Sequence, residues 1–219
     1  MSTNLFNSEP KFLERSRIAL TNAESHSEIK PALTSYGMDT AKVAVGWKIY
    51  NNSKTVWEQN KEEDAESKIA SNSYKAKYSE FQSLFKRHRD QTLIFFKKQP
   101  DILIKLGVSG KFPAKYNEFF DKAKLFYYGI KENKDVQIEL NKIKITAKVV
   151  SDCIAKHDAL LAERANYDKE LGESQDATKS KNAALLELKE WMEDFDAIAK
   201  VALYDKPQLL EVLGIFVRS

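Results

Sequence analysis

Gln99-Pro-Asp-Ile-Leu-Ile-Lys-Leu-Gly107 and Lys206-Pro-Gln-Leu-Leu-Glu-Val-Leu-Gly214 share the frame Pro-x-x-Leu-x-x-Leu-Gly, 107 residues apart. The chemistry of that frame is a short helix with a defined start and stop. Proline fits the first helical turn, where its missing N–H costs nothing. Glycine tolerates the left-handed conformation that closes a helix, and an apolar residue just after it (Val108, Ile215) can fold back on the last turn.

Carried upstream without a gap, the same offset sets apolar residues on apolar residues. Phe12 and Leu13 fall on Phe119 and Phe120, Leu33 on Leu140, and Val43 on Val150. Trp47 falls on Ile154, Phe81 on Leu188, Leu84 on Trp191 and Phe85 on Met192. The pattern reads as one helical unit written twice, which sets the expected organisation as repeat units 1–110 and 111–219, packed together as one domain.

Each unit reads as four helical pieces followed by the Pro-to-Gly helix. The first covers about 10–25, its copy about 114–132; the second covers about 28–36, with Ser27 as expected N-cap and Gly37 as its stop. Its copy at about 135–144 alternates like a strand, but the proline at the matched position 31 argues for helix. The third piece starts behind Asp39 or Thr146 and reaches Asp64 or Leu171. The fourth runs over about 68–98 and 175–204, after an expected turn at Gly172-Glu-Ser174, with one bent helix as the alternative. Two long helices per unit, taken twice, predict an all-α protein: an elongated antiparallel four-helix bundle with short accessory helices, each long helix of 25–30 residues spanning roughly 38–45 Å.

Composition agrees. With 7 Gly and 5 Pro in 219 residues, corners are scarce, which disfavours a β-sandwich or barrel. Of the 12 Phe, 9 Tyr and 3 Trp, several fall on the apolar stripes and read as core. Cys153 is the single cysteine, so no internal disulfide is possible and a reducing, cytoplasmic setting is expected. The start of the chain has no Sec-type signal pattern, and no segment has the apolar length of a membrane span.

The motifs of chemistry are missing. A di-iron bundle needs Glu-x-x-His, but the residues three before His26, His88 and His157 are Ala23, Phe85 and Ile154. There is no Gly-x-Gly-x-x-Gly, Walker loop, Gly-x-Ser-x-Gly or His-Glu-x-x-His. Cys153 and His157 share a helical face, yet Cys153 lies between core positions and reads as a small buried residue; His88 falls on Phe195 and reads as a core histidine bonded to a neighbour. No catalytic, cofactor-binding or metal-binding residue is expected, and the chain is read as non-enzymatic.

Charge carries the remaining information. The formal net charge is +3, but residues 75–131 hold 13 Lys/Arg against 5 Asp/Glu, and residues 157–196 hold 5 against 11. Under the offset, Lys86 falls on Glu193, Arg87 on Asp194, Arg89 on Asp196 and Lys98 on Asp205, each a sign inversion. Such residues either pair within the molecule or form matched basic and acidic patches suited to head-to-tail association. The expected function is a helical scaffold or interaction module whose partner is another protein or its own copy, with nucleic acid or a membrane surface on the basic 75–131 segment as the alternative. The ending Lys206–Gly214 resembles that of a group of bacterial all-helical proteins without assigned function; the resemblance implies a bacterial helical protein and supplies no site residues.

Overall fold

The computed structural model describes residues 8–217, and its first helix opens on a proline. Eight helices follow one another among the described residues, with no strand: α1 (Glu9–Ser25), α2 (Ile29–Ser35), α3 (Thr40–Phe95), α4 (Pro100–Lys105), α5 (Tyr116–Glu132), α6 (Lys134–Asn141), α7 (Ala147–Ala202) and α8 (Gln208–Val212). The all-α expectation holds.

The expected break between the third and fourth pieces does not occur. α3 and α7 are single helices of 56 residues each, so there are two long helices where the sequence reading had four. The reason is local. Lys61-Glu-Glu-Asp-Ala-Glu-Ser-Lys68 contains no proline and no glycine. Gly172 stands in the helix with open space around its α-carbon, and a lone helical glycine costs only about 1 kcal/mol relative to alanine. Of the two alternatives, a turn at Gly172-Glu-Ser174 or one continuous helix, the structure has the continuous helix.

The caps behave as their chemistry dictates, with one exception. Asp39 Oδ1 accepts the Lys42 N–H at 3.0 Å, and Thr146 Oγ1 accepts the Val149 N–H at 3.3 Å, so both long helices start on a side-chain cap. At α2 the expected Ser27 cap is replaced by the His26 ring, whose Nδ1 accepts the Glu28 and Ile29 N–H groups at 3.2 and 3.4 Å. The same stop closes all four short helices. Met38, Val108, Ile145 and Ile215 each donate their N–H back to Leu33, Leu103, Leu140 and Leu210, at 3.0, 3.1, 3.1 and 2.9 Å. Three of these stops use glycine at positive φ (Gly37, Gly107, Gly214); the fourth puts Lys144 there at φ 66°.

Two compact units result, and they are not the sequence halves. Unit 1 takes residues 1–64 and 173–219, and unit 2 takes 65–172. Each uses one half of α3 and one half of α7. In unit 1 the halves run antiparallel, with Ser53 Oγ donating to the Ala184 carbonyl at 2.8 Å and Asn60 Nδ2 to Thr178 Oγ1 at 3.0 Å. In unit 2 Ser73 Oγ donates to Glu163 Oε2 at 3.2 Å, and Glu80 pairs with Lys156. Each unit has its own core: α1, α2 and α8 cover the helix pair in unit 1, and α4, α5 and α6 cover it in unit 2.

The element positions repeat at the sequence offset. α1 and α5 start at 9 and 116, and α3 and α7 at 40 and 147. Buried residues repeat too: Phe12 and Phe119, Ile29 and Val136, Leu33 and Leu140, Val43 and Val150, Phe85 and Met192, Leu106 and Leu213.

Candidate functional surfaces

The eight charged residues singled out by sign inversion divide by burial. Lys86, Arg87 and Lys98 are exposed in unit 2, and Glu193, Asp194 and Asp205 are exposed in unit 1. Arg89 and Asp196 are spent inside their own units. Arg89 is only 8% exposed; it donates to the Gly110 carbonyl and pairs with Asp90. Asp196 accepts from Arg15 of α1; burial pushes its carboxyl above the usual range while the Arg15 guanidinium pulls the other way. These two charges anchor local structure: α3 to the loop at Gly110, and α7 to α1.

The exposed charges flank apolar side chains at matched places. Ile94 in unit 2 is 78% exposed, and its counterpart Val201 in unit 1 is 56% exposed. Tyr204 lies next to Asp205 and is fully presented to solvent, at the position matched by Lys97.

The residues with chemical potential are sealed. Cys153 is buried against His88 of α3, with Sγ 4.0 Å from His88 Nδ1; that nitrogen and the Tyr127 hydroxyl of α5 share a 3.1 Å hydrogen bond. Burial pushes the Cys153 thiol up, against a nucleophilic thiolate. Burial, helped by the Arg87 charge, lowers His88 to about 4, so the ring is neutral at pH 7. His157 is packed between the Phe81 and Phe120 rings, with Nδ1 3.0 Å from Asp158 Oδ1. The shared helical face of Cys153 and His157 thus leads to two separate buried contacts, and His26 is engaged as a helix cap.

One cluster in unit 2 went unseen in the sequence. Tyr74 of α3, Tyr116 of α5 and Tyr167 of α7 surround the Arg164 guanidinium, whose carbon lies 5.5, 5.5 and 5.3 Å from their ring centroids. Arg164 Nε donates to Asp168 Oδ2 at 2.8 Å, which aims the guanidinium. Burial raises the Tyr74 hydroxyl above its ordinary range, and the Tyr116 hydroxyl adds to the effect. The matched positions in unit 1 are Lys181, Glu9, Asn60 and Trp57. There Trp57 Nε1 donates to Glu9 Oε2 at 3.0 Å, and the Lys61 ammonium lies 3.4 Å over the indole. Both corners join a cation to aromatic faces with unrelated residues, which is why an offset comparison passes over them.

Unit 2 also has an open groove of about 510 Å³ between α4 and the α5–α6 corner, lined by Ile102, Lys105, Leu106, Gly129, Asn133 and Lys134. In unit 1 the matched corner is bridged: Asn22, at the place of Gly129, donates to the Val212 carbonyl at 2.8 Å.

No protein-family model matches the chain, and no curated protein or solved structure matches it. No helix among the described residues is long and apolar enough to cross a membrane.

Proposed function

We propose that this protein is a non-enzymatic, cytoplasmic helical scaffold that arose by duplication of one helical unit and associates with its own copies through oppositely charged surfaces. The carrying observation is the division of charge between the units. Unit 1 holds 14 Lys/Arg against 18 Asp/Glu, a net −4; unit 2 holds 21 against 14, a net +7. Complementary fields of this kind steer association and fix orientation. The duplication is supported by the 107-residue repeat of helix starts, buried positions and helix stops. The antiparallel pairing of long-helix halves within each unit supports a bundle architecture.

Light scattering across a salt series tests the reading. Mass above the monomer at low salt, falling as salt screens the fields, is expected; a monomer at every salt overturns it. A second reading has its own observation. Lys124 and Lys131 of α5 flank the exposed side of Tyr128 at 6.0 and 5.9 Å from its ring centroid, within the basic 75–131 segment. A phosphate-bearing nucleic acid or an anionic membrane surface fits such a stripe. Steeply salt-dependent DNA binding, or co-sedimentation with anionic vesicles, by a protein that stays monomeric would favour it.

A further inference from the structure

The reading above leaves open which surfaces meet. Resting on that reading, we infer that the contact between copies joins two matched faces: the exposed face at the end of α3 and the turn after it, carrying Lys86, Arg87, Ile94 and Lys98, and its counterpart at the end of α7 and the turn after it, carrying Glu193, Asp194, Val201 and Asp205. The occupant of each face is the other face on a second copy of this chain.

Three observations converge. The two faces stand at the same helical register, because every residue in one lies 107 positions before its counterpart in the other. All three exposed charged pairs invert sign: Lys86 with Glu193, Arg87 with Asp194, Lys98 with Asp205. The position that remains apolar in both, Ile94 and Val201, is solvent-exposed in both. The pair gives each charged face an apolar residue at the same place, the arrangement of an interface with an apolar centre and a polar rim. The inversion also forbids the alternative contact: basic face on basic face, or acidic on acidic, sets like charges opposite one another.

Because the two faces differ, the contact is heterologous, with the acidic face of one copy on the basic face of the next. Arg89 and Asp196 take no part, since Arg89 is buried and Asp196 half-buried, each engaged within its own unit, whereas Glu193 meets Lys189 only at the surface.

Charge reversal tests the assignment. One variant carries Lys86→Glu and Arg87→Glu and presents two acidic faces; the other carries Glu193→Lys and Asp194→Lys and presents two basic faces. Each alone should associate roughly tenfold or more weakly than the unaltered protein at low salt, the change expected for two lost charge pairs with new repulsion. Mixed in equal amounts, they should recover association as one-to-one assemblies. Circular dichroism should show the same helicity in all three, as the altered side chains are exposed. Ile94→Asp alone should weaken association without changing helicity. If the unaltered protein associates but both variants keep its mass, or if their mixture stays monomeric, this assignment falls and the scaffold reading stands. If the unaltered protein is monomeric throughout, both fall.

Discussion

The two units fill matched faces with different bulk. In unit 1 the short helix α1 presents Ser16, Ala19, Leu20 and Ala23 to the core, and the bulk stands on the long helices as Trp47, Trp57 and Trp191. In unit 2 the matched face of α5 presents Ala123, Phe126, Tyr127 and Ile130; the long helices have Leu84, Ile154 and Arg164 at the tryptophan positions and add Phe81 and Phe85 elsewhere in the core. Gly46 shows how tight the exchange is. A β-carbon there would collide with the Trp191 indole and lie 2.8 Å from Leu20 Cδ2, while the matched Cys153 carries a side chain and contacts His88. At Gly46 a small residue on one helix makes room for a large one on its neighbour, as close packing requires. Two units with matched helix positions can therefore differ widely in sequence while holding one order of helices.

The strongest way to break the comparison is to remove bulk from each core at one matched position. Phe85 is fully buried, in edge-to-face contact with Phe119 and Phe126, and its counterpart Met192 is 1% exposed. Phe85→Ala should cost about 3–5 kcal/mol and Met192→Ala about 2–5 kcal/mol, the ring loss being the larger. Urea unfolding followed by circular dichroism measures both. Equal small costs of under about 1 kcal/mol would show that neither core is packed as described.

A smaller effect separates the units by pH. Unit 2 buries His88 where unit 1 has Phe195, so only unit 2 has a titratable ring at that place. The folded ring titrates near 4 against an ordinary 6.5. A histidine depressed in this way takes up its proton more readily in the unfolded chain, so its contribution is full above about pH 6.5 and is lost as pH falls toward 4. The total loss is about 3 kcal/mol, an upper bound set by the two values. His88→Gln, which keeps a hydrogen-bonding partner for Tyr127 but does not titrate, should be less stable at neutral pH and should lack this component of the acid loss. An unchanged acid profile in the variant would refute the role of His88.

The sequence was most readable where backbone chemistry leaves few choices. Pro100 and Gly107, with their counterparts Pro207 and Gly214, fixed the short helices because one residue type opens and the other closes them. Asp39 and Thr146 announced the long helices through capping. The continuity of α7 is ambiguous in the sequence because a lone Gly172 resembles a stop, and only the absence of positive φ separates the cases. The burial of Arg89 and Asp196 was equally hidden. One helical position separates Arg89 from the exposed Asp90, and its engagement depends on Gly110, 21 residues away. The tyrosine cage around Arg164 was illegible for a related reason: its members come from three helices and have no counterparts at the repeat offset.

The finest difference between the units lies at one helix corner, where Asn22 bridges α1 to the Val212 carbonyl and Gly129 leaves the corresponding groove open. Removing the bridge with Asn22→Ala gives up one side-chain hydrogen bond, and alanine is the better helix former, so the net cost should be only about 0.5–1 kcal/mol. Gly129→Ala should act in the opposite sense. Its new methyl would stand 3.1 Å from Leu106 Cδ2, a side-chain end that can turn aside, while the helix gains about 0.5–1 kcal/mol from replacing glycine. The two variants should therefore move the unfolding midpoint in opposite directions. If Gly129→Ala instead destabilises, Leu106 has no room to yield, and the corner in unit 2 is held as rigidly by packing as the one in unit 1 is by its hydrogen bond.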